Sequence, residues 1–316
     1  MPFIRSAILP EWWDDDCAHD QALVPDIEIR VARFLGVPLS VVKDPRAPLA
    51  PPTYVGAQLR RVRAVNSDRL TPAIHSALQI GAAVIRSMRA PVPSPVTPPA
   101  EASLWREQLQ AEGRSVTLDD LLGDLWKRGV PVVPIDVLPI PSFQGMACII
   151  EGRPVVLLGH RHDEPARVAY FVAHEVGHIA AGDCSPDRPV VDEEDQILDD
   201  DDLELRADGY ATRMLIGADT FPQVDGTTFK KLASCAVEVE RARGSDAATV
   251  IFAWAARTGD YPMATMAVKA LYRATGARRQ LRAHFDRHID TDGASESDRA
   301  LLRCVYGEPN RDETSV

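Results

Sequence analysis

Nowhere in this 316-residue chain do about eighteen apolar residues run together. A membrane-spanning helix is therefore not expected, and no membrane partner either. The chain also lacks the basic start and apolar run of a secretory signal; its first twenty residues carry Trp12, Trp13 and Asp14 to Asp16 instead. A cytoplasmic location is the expectation. Close cysteine pairs are missing as well. The five cysteines, Cys17, Cys148, Cys184, Cys235 and Cys304, are odd in number and scattered, which argues against a zinc ribbon or a secreted disulfide framework and for reduced thiols. No internal repeat is visible.

What is present is a chain with 45% apolar and 26% charged residues, enough to pack two or three domains. Its net charge of −11 is unevenly placed. From Asp183 to Asp208 twelve acids face only Arg188 and Arg206, whereas Asp26 to Ala90 is net +6 and Lys269 to His288 net +5. Basic regions thus flank an acidic centre, so nucleic acid is not excluded by the overall charge.

The clearest boundary is Pro91 to Ala100, with five prolines in ten residues, a composition that favours extended chain and stops helices. It divides a helical region, 1–90, from a core over 101–225 and a helical region over 226–316. In the first region Ile27 to Leu35 has helical apolar spacing, followed by a turn at Gly36 to Pro38 and a short apolar segment, Leu39 to Val42. Gln58 to Val65 and Pro72 to Met88 also read as helix. Helix, glycine turn and helix near arginines are compatible with a helix-turn-helix DNA reader and equally with a small helical packing domain.

After the linker, Leu118 to Arg128 reads as helix and Val130 to Leu138 as strand or extended chain. Met146 to Ile150 and Pro154 to Leu158, separated by Glu151, Gly152 and Arg153, predict a hairpin. Helices are expected over Phe229 to Arg243, Ala247 to Arg257 and Ala264 to Phe285.

Between these lies the chemistry. Pro165, the acids Asp163 and Glu164, and Gly182 bracket a helix from about Ala166 to Ala181. His174 and His178, four residues apart, fall on one face and can reach a single cation, while Glu175 can approach a water on that cation without being a ligand. Zinc held by two imidazoles and a carboxylate keeps a position for water, lowers its pKa towards about 7 and polarises a carbonyl. Glu175 would then act as base. A second helix is expected from the acids Asp199 to Asp202 to Gly217, with Leu203, Ala207, Tyr210, Ala211, Met214 and Leu215 as its apolar stripe. Glu204, in its first turn beside that stripe, is the candidate third ligand, and Asp208 the candidate hydrogen-bond partner of a ligand histidine.

His174 to His178 together with Glu204, Ala207, Asp208, Tyr210 and Ala211 resemble the two motifs of the ImmA/IrrE metallopeptidases, H-E-x-x-H and E-x-x-A-[ND]-x-[FY]-A. Phe143 to Ala147 and Gly152 to Leu158 are similar to the strands before that family's active-site helix. The resemblance spans roughly 116–217. It implies an α+β fold with a zincin-like core and small sheet, flanked by mostly helical N- and C-terminal regions. It also implies Zn2+ and cleavage of a small helix-turn-helix repressor in a stress, DNA-damage or phage-defence response. The anti-phage-defence type, triggered by single-stranded DNA, is similar in having a helical segment after the core. The chain departs from the family in its extra N-terminal region.

Cys184, six residues after His178, is a candidate fourth ligand or cysteine switch, with Cys148 a second; both also read as small buried hydrophobes. His160 and His162 precede the metal helix as oxyanion donors or ordinary loop histidines. Pro154 to Leu158 would hold an extended substrate if it were a sheet edge. Asp183 to Asp202 reads as a solvated loop, or as an attractor for a basic repressor. Val268, Leu271 and Tyr272, interleaved with Lys269, Arg273, Arg278, Arg279 and Arg282, suggest one late helix with a basic face. The rival reading is a DNA-binding regulator with a structural or vestigial zinc.

Overall fold

The computed structural model describes residues 8–10, 12–14, 16–35, 37–47, 58–60, 67–111, 116–140, 142–185, 189–192, 202–217, 228–271 and 275–305. After a 3-10 turn, Asp16–His19, come α1 (Val24–Leu35), α2 (Leu39–Lys43), β1 (Gln58–Arg60), α3 (Ser67–Arg86), α4 (Ala102–Ala111) and α5 (Leu118–Lys127). Next are β2 (Val132–Pro134), β3 (Gly145–Ile150), β4 (Arg153–Leu158), α6 (Pro165–Ala181), β5 (Val190–Asp192) and α7 (Asp202–Ile216). Five helices finish the chain: α8 (Phe229–Arg243), α9 (Ala247–Thr258), α10 (Tyr261–Ala270), α11 (Ala277–His288) and α12 (Glu296–Leu302). The fold is mixed α+β, mostly helical. No described helix is long and apolar enough to cross a membrane.

One sheet organises the molecule, in the order β1-β5-β3-β4-β2. β3 and β4 form the expected antiparallel hairpin, and its turn residues Glu151 and Gly152 both have positive φ, 50° and 77°. That pairing matches the right-handed twist of the strands. Alternation along the strands then builds two cores. Ala147, Val156, Leu158, Val132 and Val190 face α4 to α10, whereas Met146, Cys148, Val155, Leu157 and Val191 face α3, Phe285 and Leu301. Each fully buried valine contributes about 1.5–3 kcal/mol relative to exposure.

The proline-rich stretch is pinned to this body. Val96 N–H donates to the Arg128 carbonyl, Arg153 reaches the Pro93 carbonyl, and the Tyr210 hydroxyl donates to the Pro99 carbonyl. α4, which follows it, sends the buried Arg106 guanidinium to the carbonyls of Met214, Leu215 and Arg243. Two of those are C-terminal acceptors of α7 that lack partners within their own helix. Arg106 therefore fixes the end of the helix that carries Glu204.

Several expectations are corrected. Gln58 to Arg60 is a strand, because β5 offers it a parallel partner; 61–65 lie outside the described residues. The single late helix is two, α10 and α11, parted before Gly276, whose φ of 131° no continuing helix allows. Its shared basic face is lost: Arg278 pairs with Asp136, and Tyr272 and Arg273 lie outside the described residues. β4 is no edge, since β3 and β2 flank it. The acidic connection is not wholly a solvated loop, for Val190 and Val191 are fully buried in β5 and the Asp183 carboxylate is also buried.

Candidate metal centre

Pro165, which needs no amide partner at a first-turn position, opens α6, and Gly182 ends it in the left-handed region at φ 75°. His174 and His178 lie one turn apart on this helix. α7 packs against it at Gly177, where an added Cβ would stand 3.0 Å from the Ala207 Cα. A larger residue would wedge the helices apart, so glycine here is what lets Glu204 reach both histidines.

His174, His178 and Glu204 form, among the described residues, the one group of three whose ligand atoms lie within 4.8 Å of one another. The Nε2 atoms of the histidines are 3.2 Å apart. Glu204 Oε2 is 3.3 Å from His174 Nε2, and its Oε1 is 3.5 Å from His178 Nε2. All three residues are at most 3% exposed.

The opposite ring nitrogens explain the orientation. His174 Nδ1 is 2.9 Å from Asp208 Oδ1, which also accepts from the Tyr170 hydroxyl at 3.0 Å. His178 Nδ1 is 3.1 Å from Asp183 Oδ2, and Arg206 donates to the other Asp183 oxygen. Carboxylates at both Nδ1 positions place the protons there, and so turn two Nε2 lone pairs and a buried carboxylate towards one point. Three buried electron-rich groups converging on one point are costly unless a cation joins them. These residues fit a metal ion.

Asp208 makes the histidine contact expected of it, to His174. Asp183 was missed, being one acid among twelve; its spacing, five residues after His178, was the available signal. Replacing either Asp208 or Asp183 by Asn should weaken metal binding by about 10–100-fold, read by competition with a chelator of known affinity.

Glu175 is 1% exposed and leans on the start of β3. A Cβ on Gly145 would stand 2.0 Å from Glu175 Oε1, so the carboxylate occupies the space that only glycine leaves. Gly145→Ala should spare the fold, since the displaced atom ends a side chain, but should move the carboxylate by about an ångström and lower any Glu175-dependent rate about 100-fold. Kinetics of the metal-loaded variant check this.

Neither Cys184 nor Cys148 belongs to the ligand group. Burial, then Glu175 and Asp183 nearby, pushes the Cys184 thiol up to about 12. Cys148, wholly buried in β3, is also held well above the ordinary thiol range, by burial first.

His160 and His162 pack their rings against Phe171 of α6, at 4.7 and 5.8 Å, one turn before Glu175. Burial, with His162 and Arg167 close by, brings His160 down to about 3; burial and Arg167 bring His162 to about 4. Because the folded value lies below that of the unfolded imidazole, the unfolded chain takes up the proton first as pH falls. Stability is therefore lost from about pH 6.5 downwards, by about 2 kcal/mol at pH 5 for His160. His160→Gln should flatten that loss in urea titrations of the metal-free chain at pH 7 and 5.

No family model matches this chain, nor does any curated protein or solved structure.

Proposed function

We propose that the chain is a zinc-dependent endopeptidase with a zincin-like core, of the ImmA/IrrE kind that its two motifs resemble. The supporting observation is the convergence of the three side chains. A tetrahedral ion with bonds of about 2.0–2.1 Å sets its ligand atoms about 3.3–3.4 Å apart; here the two Nε2 atoms are 3.2 Å apart, and the two Glu204 oxygens lie 3.3 Å from His174 Nε2 and 3.5 Å from His178 Nε2, one each. Calcium, with its preference for six or more oxygens, does not suit the two nitrogens.

When bound, zinc supplies Lewis-acid polarisation of the scissile carbonyl and an activated water. The chain's residues do the rest. Glu175, held against Gly145, takes the proton from the attacking water and delivers it to the leaving amine. Asp208 and Asp183 keep both imidazoles in the ligating tautomer. Burial of the four side chains excludes competing solvent and strengthens each electrostatic contact.

The substrate proposed is a small helix-turn-helix repressor, cut once in a stress or phage-defence response, with single-stranded or duplex DNA as a further partner. Co-expression with the reading frames next to its own gene tests this. A neighbouring helix-turn-helix protein should be cut at one bond, and left whole when Glu175 is replaced by Gln; intact neighbours in both cultures would remove the repressor reading. The rival, a DNA-binding regulator, has less support. Arg30, Lys43 and Arg86 of the basic N-terminal region each face a carboxylate of Asp26, Glu28 or Asp298, and α2 is only five residues long with none buried.

A further inference from the structure

β3 is the strand on which Glu175 rests, and its neighbour on that side is β5. The register is antiparallel: Gly145 faces Asp192, Met146 faces Val191 and Ala147 faces Val190. Gly145, whose missing Cβ makes room for Glu175, is therefore paired to a segment from the connection between the two metal-holding helices. A peptide presented for hydrolysis must lie extended beside the metal, and antiparallel addition to a strand edge provides its backbone with hydrogen bonds whatever its sequence.

We infer that β5 holds on β3 the place of an extended peptide, and that a substrate segment with two adjacent branched aliphatic residues takes that place. The inference rests on the peptidase reading for its purpose but on the sheet for its geometry. β5 pairs over three residues with β3 and over three with β1, whereas β4 pairs over six with β3 and over three with β2. The shorter registers make β5 the easier neighbour of β3 to displace. Val190 and Val191, both fully buried, enter opposite cores, Val190 the one beneath α6 and Val191 the one beneath α3. A replacement strand must fill both positions, which selects two consecutive aliphatic side chains and rejects charged ones.

Amide hydrogen exchange on the zinc-loaded full chain is the first test. The amides of Val190 and Val191 should exchange at least about 100-fold faster than those of Val156 and Leu157, equally buried in the same sheet. Equal protection would overturn the inference. The second test replaces Val190 and Val191 by Asp to expel the strand. A fluorescein-labelled peptide Arg-Pro-Val-Val-Asp-Glu, the sequence of residues 188–193, should bind this variant at least about 30-fold more tightly than the natural chain, whose own strand competes at high effective concentration. A peptide with Asp-Asp for Val-Val should not bind. Equal affinity for both chains would overturn the proposal, and should the variant fail to fold, the exchange comparison decides. If exchange and peptide binding behave as expected while no form cuts any protein, the peptidase reading fails and the displaceable strand stands.

Discussion

On the proposed peptidase reading, Glu175→Gln should keep its zinc and lose at least about 10³-fold of the cleavage rate. The substitution preserves shape and burial but removes the carboxylate proposed to accept the proton of an attacking water. Glu175 is not among the three side chains whose ligand atoms converge, so metal content should stay unchanged. The Gly145 contact that positions the carboxylate accommodates the isosteric amide equally well. Loss of rate with full zinc therefore separates base from ligand. Retained cleavage would move the base elsewhere.

Glu204→Gln should have the converse signature. An amide oxygen is a weak zinc ligand, and the negative charge that compensates the cation beside two neutral imidazoles disappears. The loss of affinity should exceed the roughly 10–100-fold of an outer carboxylate such as Asp208. Zinc after dialysis should fall from about one ion per chain to under about a tenth. Activity should follow the metal and return partly with excess zinc. Full zinc in this variant would displace the third ligand from α7.

Much of the site is legible in the chain because punctuation and period agree there. Pro165 and Gly182 bound α6, the histidine spacing defines its face, and Glu204 stands in the first turn of a helix whose apolar stripe is regular. The hairpin of β3 and β4 is legible for the same reason, Gly152 being a turn residue that accepts positive φ. β5 is not legible. Three residues, Val190 to Asp192, are too few to display a period, and the acids around them argue for solvent; the strand exists because β3 and β1 offer it partners on both sides. The same competition makes Gln58 to Arg60 a strand where apolar spacing predicts a helix.

Other features went unread although signals were present. Gly276 marks the break between α10 and α11, and Ser295 with Asp298 three residues later is the capping signature that opens α12. Arg106 offers no such signal. A single arginine in an amphipathic helix looks solvated, and only the tertiary arrangement places its guanidinium on the C-terminal carbonyls of α7. Cys184 and Cys148 lie outside the group of converging ligand atoms.

X-ray absorption at the zinc edge of the purified full-length chain tests the central claim most directly. The account predicts about one zinc per chain with only nitrogen and oxygen neighbours at about 2.0–2.1 Å, including the outer-ring scattering of two imidazoles. A sulfur neighbour at about 2.3 Å, or a chain that binds no zinc, would contradict it.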